Sequence, residues 1–223
     1  SQVIINEERP QLTKHLATRF KEKIGQNVNL LGEVVLGNEE ADHRYHHYLE
    51  ALESPDINYI SVKISGIYAQ THALNYEESF PELVSRMSAL YQKAIDFPYT
   101  DEDGIKRSKF INLDMEEYKD AHFTLRLFKA VLNLPQFKNY SAGIVVQAYL
   151  PDAYDFQTEL LEFAKARIDG GGAPIKMRLV KGCNLEMETV ISSLKGWPNP
   201  IRPSKTEVDA NYLCLLERGL MPE

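Results

Sequence analysis

The run AGIVVQAY, at residues 142–149, decides the fold class of this chain. It is rich in valine and isoleucine and too short for a buried helix, so it predicts a strand covered on both faces. Similar runs occur at residues 29–36, 58–64, 110–114 and 174–180. The sequence therefore predicts five short, mostly buried strands.

Amphipathic segments separate these runs and predict helices. They lie at residues 39–52, 77–95, 116–132 and 152–163. Asn38 is expected to cap the first of these helices and Asp152 the last, because short polar side chains can accept a hydrogen bond from the first helical turn. Apolar strands that alternate with helices predict an α/β fold, with a parallel sheet that is either covered on both faces or closed into a barrel.

The glycines favour the barrel. An open dinucleotide-binding sheet needs a glycine-rich phosphate turn directly after its first strand, and only Gly37-Asn38 occurs there. The run Gly170-Gly171-Gly172 precedes a strand, so we interpret it as a helix-to-strand turn. Residues 1–26 are predicted to be a helical lead-in, and residues 96–109 a polar surface insertion that turns at Asp103-Gly104.

Composition places the chain among ordinary globular proteins. Its 223 residues are 43% hydrophobic and 26% charged, which excludes a disordered chain and a membrane span. A net charge of -7 offers no attraction to nucleic acid. Two cysteines, Cys183 and Cys214, suit a reducing compartment, and the first residues do not resemble a signal peptide, so we expect a cytoplasmic protein.

Polar residues recur at or just past the end of each predicted strand. In parallel β/α folds the carboxyl ends of the strands meet at one ligand site, and a buried charge without a partner is costly. These residues are Glu33, Lys63, Asp114, Gln147, Arg178 and Lys181. Their mixture of cations, acids and one amide favours an anionic or zwitterionic small molecule, or a polar heterocycle.

A metal site is not predicted. His43 and His47 have the i, i+4 spacing that zinc can use, but no H-E-x-x-H arrangement is present and the helix would lie outside the sheet. No G-x-S-x-G nucleophile motif occurs either.

Six ordered motifs together resemble the proline dehydrogenase family, most closely the proline dehydrogenase domain of bacterial bifunctional proline-utilisation (PutA) flavoproteins. They are LLGEVVL (30–36), YISVKIS (59–65), INLDMEEY (111–118), GIVVQAYLPDA (143–153), MRLVKG (177–182) and VDANY (208–212). The resemblance covers residues 28–216. It implies a distorted (β/α)8 barrel of the TIM type, of which residues 27–223 would supply about five β/α units.

The resemblance also implies an activity. Members of the family oxidise L-proline to Δ1-pyrroline-5-carboxylate by hydride transfer to flavin N5 of FAD, and they pass the electrons to a membrane quinone. Peripheral association with the inner membrane and a fused or partner pyrroline-5-carboxylate dehydrogenase belong to the same expectation. A related cyclic imino acid stays open as the substrate.

Motif positions suggest roles for individual residues. Lys63 would help to hold the proline carboxylate, Asp114 would orient the flavin and substrate, and Arg178 would donate near flavin N5. Met115 would lie beside the flavin ring and Gln147 would hydrogen-bond its edge. The remaining assignments are Lys181, Gly182 and Lys205 near the ribityl and phosphate portions of FAD, and Glu33 as the acid of an ion-pair gate over the substrate.

The sequence departs from the family pattern in three places. Cys183-Asn184-Leu185 replaces a small residue followed by aromatics, and Pro203 replaces a hydroxyl residue. The late tyrosine and paired arginines that clamp the proline carboxylate in the family have no counterpart among these residues. We therefore expect the 223 residues alone to bind FAD weakly and to oxidise little proline.

Two other functions stay open at this point. Lys63 could be the Schiff-base amine of a β/α-barrel aldolase, or the chain could be a non-catalytic barrel fragment or scaffold.

Overall fold

A computed structural model describes residues 9–29, 37–69 and 76–221. The strands are β1 (Val28–Asn29), β2 (Tyr59–Val62), β3 (Tyr99–Thr100), β4 (Lys106–Arg107), β5 (Phe110–Leu113), β6 (Gly143–Gln147) and β7 (Lys176–Val180). The helices are α1 (Arg9–Lys21), α2 (Asn38–Glu53), α3 (Tyr76–Asp96), α4 (Ala121–Leu132), α5 (Ala153–Asp169), α6 (Leu185–Lys195) and α7 (Lys205–Leu220).

Five strands form one sheet in the order β1-β2-β5-β6-β7, and every neighbouring pair is parallel. The predicted parallel α/β arrangement is confirmed. Spatial order follows chain order without the reversal that marks a doubly wound sheet. Of the first predicted strand only its beginning is described, as β1, while residues 30–36, including Glu33, lie outside the described residues.

The predicted surface insertion is an antiparallel hairpin of β3 and β4. Asp101 Oδ1 accepts hydrogen bonds from the backbone N–H groups of Asp103 and Ile105, and Gly104 has a φ of 76°, so the expected turn at Asp103-Gly104 is confirmed. The last residue of the segment, Lys109, does not lie at the surface as predicted. Lys109 is only 2% exposed, because its ammonium group donates to the carbonyl of Ser54.

Three helix boundaries differ from the predictions. Gly37, not Asn38, occupies the N-cap position of α2. In the lead-in, α1 ends at Lys21, so Ile24 lies beyond it and is 47% exposed. The helix predicted from residue 116 begins at Ala121, after a single 3-10 turn at Tyr118–Asp120.

Side chains alternate between the two faces of the sheet, and one face is apolar. Its central residues are at most 2% exposed: Ile60, Val62, Ile111, Leu113, Ile144 and Val146. Helices α2, α3, α5 and α7 contact β2, β5, β6 and β7 respectively. Burial of this face against the helices supplies the main hydrophobic core.

Arg167 fixes the amino end of the sheet. This residue of α5 is 9% exposed, and its guanidinium donates to five backbone carbonyls. The acceptors are those of Leu132, Phe137, Lys138, Tyr140 and Ala173. Burial lowers the pKa of Arg167. One side chain therefore ties the end of α5 to the loops that lead into β6 and β7.

We predict that Arg167→Met lowers the free energy of unfolding by roughly 2–4 kcal/mol, because it leaves several buried carbonyls without a donor. Urea unfolding followed by circular dichroism measures the change. Lys165→Met is the matched control, since Lys165 lies on the same helix with a side chain that is 61% exposed. Equal stability of the two variants would contradict the assignment.

Candidate active site

The polar face of the sheet brings together four of the residues that the sequence indicated. Ser61 pairs with Asn112, and Asn112 with Gly143, so side chains of the same parity share a face. Continuing this alternation places Lys63, Asp114, Gln147 and Arg178 on that face, opposite the apolar one. Lys63 and Asp114 directly follow their strands and Gln147 ends β6, at the edge where β/α folds carry their ligand sites, whereas Arg178 is the middle residue of β7.

An ion pair lies at the centre of this face. Arg178 Nη2 is 2.7 Å from Asp114 Oδ1, and the Asp114 side chain is 9% exposed. Asn112 Nδ2 donates to the same carboxylate oxygen at 2.8 Å, and Asn29 Nδ2 lies 3.5 Å from Oδ2. Strands β1, β5 and β7 therefore converge on the carboxylate of Asp114.

The contacts of Arg178 require a curved sheet. Its Nη1 lies 3.5 Å from Ser61 Oγ, although β7 and β2 are three positions apart in the sheet. Three strand spacings in a flat sheet measure roughly 14 Å, which is longer than an arginine side chain. The polar face is therefore concave.

Gln147 holds the segment that follows β5. Its Nε2 donates to the carbonyls of Met115 and Glu116, at 3.2 Å each. Glu116 in turn accepts from the backbone N–H of Ser65 at 3.1 Å and from its hydroxyl at 2.7 Å. These contacts keep residues 116 and 117 out of the helix predicted to begin at residue 116, and they anchor the backbone of Met115, which is 6% exposed and directly follows Asp114 in the chain.

Three buried polar atoms on this face have no hydrogen-bond partner in the structure: Asn112 Oδ1, Gln147 Oε1 and Arg178 Nε. Buried polar groups are rarely left unpaired in folded proteins, because desolvation costs about 1–3 kcal/mol. The two amide oxygens are acceptors, and the guanidinium Nε is a donor that carries positive charge. The concave face can therefore receive a polar molecule that offers both kinds of group.

Lys181 and Lys205 are not brought to the ion pair. Both ammonium groups contact Asp209 of α7, at 2.5 and 2.6 Å. Hydrogen bonds from both ammonium groups lower the pKa of Asp209, and the bond from Lys181 has the larger effect.

Gly182, directly after Lys181, has a φ of 126°, and a Cβ there would lie 2.4 Å from the ring of Tyr149. Only glycine fits this position.

Lys63 directly follows β2 and is half-buried. Burial raises the pKa of the neighbouring Tyr48 to about 12, and the backbone of Lys63 acts in the opposite direction. The alternation of the strand directs the ammonium group of Lys63 to the same face as Asp114.

A cavity of about 760 Å³ lies at the opposite, amino end of the sheet. It is lined where strands begin, by Asn58, Ser108 and Lys176, and by Leu16 and Phe20 of α1. We place the site at the carboxyl end, because the ion pair and the unpartnered buried atoms lie there.

The described ranges contain neither a metal-binding cluster nor a membrane-spanning helix. No group of three or more His, Cys, Asp or Glu side chains there could hold a metal ion. His43 and His47 pack against each other, with ring centroids 4.3 Å apart. None of the helices in these ranges is long and apolar enough to cross a membrane.

The sequence analysis did not identify Asn29, Ser61, Asn112 or Glu116 as part of this site. The first three are polar residues inside otherwise apolar strands, and their position two or four residues before a strand-end residue is the signal that could have found them. Glu116 lies two residues after Asp114, in a segment predicted to be helical.

Gly143 leaves room for this polar cluster. A Cβ there would lie 2.7 Å from Asn112 Oδ1 and 2.9 Å from Phe110 Cε1.

We predict that Gly143→Ala displaces Asn112 from Asp114 and lowers the free energy of unfolding by about 1–3 kcal/mol, measured by thermal unfolding. Gly25→Ala is the control, because nothing lies within 4 Å of a Cβ there. An unchanged melting temperature for Gly143→Ala would refute the close approach.

Comparison with known proteins gives a consistent result. A family model for proline dehydrogenase matches residues 12–222. The structure of PutA from Corynebacterium freiburgense is 41% identical, covers 98% of this chain and 22% of its own chain, and superposes with a TM-score of 0.91. PutA from Bdellovibrio bacteriovorus, inactivated by N-propargylglycine, is 32% identical over 92% of this chain and 22% of its own, with a TM-score of 0.79.

PutA from Bradyrhizobium japonicum, 24% identical, covers 86% of this chain and 20% of its own with a TM-score of 0.72, and supports the fold alone. The chain thus spans about a fifth of the length of these proteins. Curated proteins give no match. Because the family model covers most of the chain and a 41% identical structure matches nearly all of it, the chain belongs to the proline dehydrogenase family.

Proposed function

We propose that this chain forms part of the site at which L-proline is oxidised to Δ1-pyrroline-5-carboxylate with FAD as cofactor. The observation that carries the proposal is the Asp114–Arg178 pair on a concave face, next to the unpartnered Gln147 Oε1 and Arg178 Nε. Membership of the proline dehydrogenase family supports it.

The substrate class is a secondary amino acid. The PutA of Bdellovibrio bacteriovorus is inactivated by N-propargylglycine, which like proline carries a secondary amine and a carboxylate. Lys63, on the same face as Asp114, supplies a cation for such a carboxylate. A cation at that position would orient the substrate.

The residues present fit FAD. The flavin ring edge offers both donors and acceptors, which the unpartnered amide oxygen of Gln147 and the Nε of Arg178 can satisfy. Met115, whose carbonyl accepts from Gln147, would contact the ring, while Lys181, Gly182 and Lys205 would hold the ribityl and phosphate portions. When bound, FAD supplies the acceptor for the hydride that leaves proline.

Arg178 and Asp114 have separate tasks in this proposal. The guanidinium presents a fixed positive charge where negative charge develops during the reaction. Asp114 holds that guanidinium in place, and Asn112 and Asn29 hold Asp114. Proline nitrogen loses its proton and the adjacent ring carbon loses a hydride, which leaves the imine product.

The fold of the whole domain is proposed to be a (β/α)8 barrel. A sheet whose strand order follows chain order and whose polar face is concave is the arrangement from which such barrels are built. Residues 27–223 would then supply the first five units, after the lead-in of residues 1–26. Glu33 would be the acid of a gate over the substrate.

The family resemblance suggests a wider context. We propose a cytoplasmic protein, peripheral at the inner membrane, that transfers electrons to a quinone and works with a fused or partner pyrroline-5-carboxylate dehydrogenase. Nothing in these assignments requires nucleic acid.

Anaerobic titration tests the proposal. The complete protein should be yellow, and L-proline should bleach its flavin absorbance near stoichiometrically. A colourless protein that ignores FAD would overturn the proposal. Borohydride trapping with a carbonyl substrate distinguishes the flavoenzyme from the alternative function, a β/α-barrel aldolase. Only a Schiff-base aldolase would become covalently labelled at Lys63.

We predict that Arg178→Met lowers kcat for proline about a hundredfold or more, since it removes the charge placed next to the reacting groups. Steady-state kinetics with an artificial acceptor measure this. Lys176→Met is the matched control: Lys176 lies two residues earlier on β7 and packs over the ring of Phe110, away from Asp114. Similar kcat values for both variants would argue against the role of Arg178.

A further inference from the structure

Glu188 is a buried carboxylate at the carboxyl end of the sheet that the proposed reaction does not use. It lies in the first turn of α6 and is 6% exposed. Its Oε1 accepts a hydrogen bond from the backbone N–H of Tyr118 at 2.6 Å. Burial raises the pKa of Glu188, and this hydrogen bond acts in the opposite direction.

Helix α6 attaches to the protein in an unusual way. Its buried residues are Glu188 and Ser192, whereas its exposed residues include apolar ones: Leu185, Met187, Val190 and Leu194. A helix normally docks by its apolar stripe. Ser192 Oγ donates to carbonyls of α6 itself, at Glu188 and Thr189, so of these two buried side chains it is Glu188 that contacts another element.

The partner of Glu188 belongs to the segment that carries Asp114 and Met115. Asp114 N donates to Val62 O at 2.8 Å, and the contacts of Glu116 and Gln147 fix the next residues from β2 and β6. The Tyr118 hydroxyl donates to Asp152 at the start of α5, at 2.7 Å. The hydrogen bond to Glu188 attaches the same segment to α6, the helix that follows β7.

We propose that Glu188 is a positioning residue, which fixes the segment 114–118 against α6 and so sets the placement of Asp114 and Met115 relative to Arg178. The catalytic part of this inference rests on the proposed function. The hydrogen bond itself does not, and it can be measured without proline.

The test uses four variants of the complete, FAD-loaded protein. Glu188→Ala removes the acceptor, and Glu188→Asp withdraws it by one methylene group. Glu188→Gln keeps an oxygen acceptor at the same distance but removes the charge. Glu186→Ala is the matched control, because it removes an exposed acid from the same helical turn.

The first readout is hydrogen exchange of the peptide that contains the Tyr118 amide. We expect exchange about tenfold faster or more in Glu188→Ala and Glu188→Asp, near wild-type exchange in Glu188→Gln, and no change in Glu186→Ala. The peptide of β6 serves as the internal reference for global unfolding. Unchanged Tyr118 exchange in Glu188→Ala would overturn the proposal.

The second readout separates kcat from KM for proline. We expect kcat to fall about tenfold in Glu188→Ala with KM within about threefold of wild type, and we expect Glu188→Gln to restore it. Faster exchange with unchanged kcat, or no rescue by glutamine, would overturn the positioning role. If wild-type protein does not oxidise proline, the proposed function fails, while Tyr118 exchange still decides the link to Glu188.

Discussion

The fold of this chain depends on a division between the two faces of one parallel sheet. The apolar face is buried by helices, whereas the opposite face carries the ion pair of Asp114 and Arg178. A charged pair is stable there only when further hydrogen bonds satisfy it, and Asn112 and Asn29 supply them from two other positions. Curvature of the sheet makes this possible, since strands that are not neighbours must come within reach of one carboxylate.

Much of this arrangement follows from local sequence. Runs rich in valine and isoleucine place the strands, and the rule that strand ends converge brings out Asp114, Gln147 and Arg178 before any coordinates are known. That rule uses position along a strand. It does not select Ser61 and Asn112, which lie inside their strands, although both side chains contact the ion pair.

Other features depend on how distant elements meet. Lys181 follows a strand as the sequence analysis required, but its ammonium contacts Asp209, because α7 packs beside β7. Glu188 of α6 accepts a hydrogen bond from Tyr118, although 70 residues separate them in the chain. Periodicity of a single helix cannot indicate such contacts. In α6 the periodicity of apolar residues would predict the wrong buried face, since the buried residues are the polar Glu188 and Ser192.

The hydrogen bonds of Arg167 lie at the amino end of the sheet, and the polar cluster lies at the carboxyl end. Arg167 and the residues that would meet a ligand are thus separated by the length of the strands. Sequence drift at the amino end should alter how much folded protein a cell accumulates, while drift at the carboxyl end should alter which molecules the folded protein accepts. Specificity can then change at the carboxyl end without loss of the hydrogen bonds that Arg167 makes at the amino end.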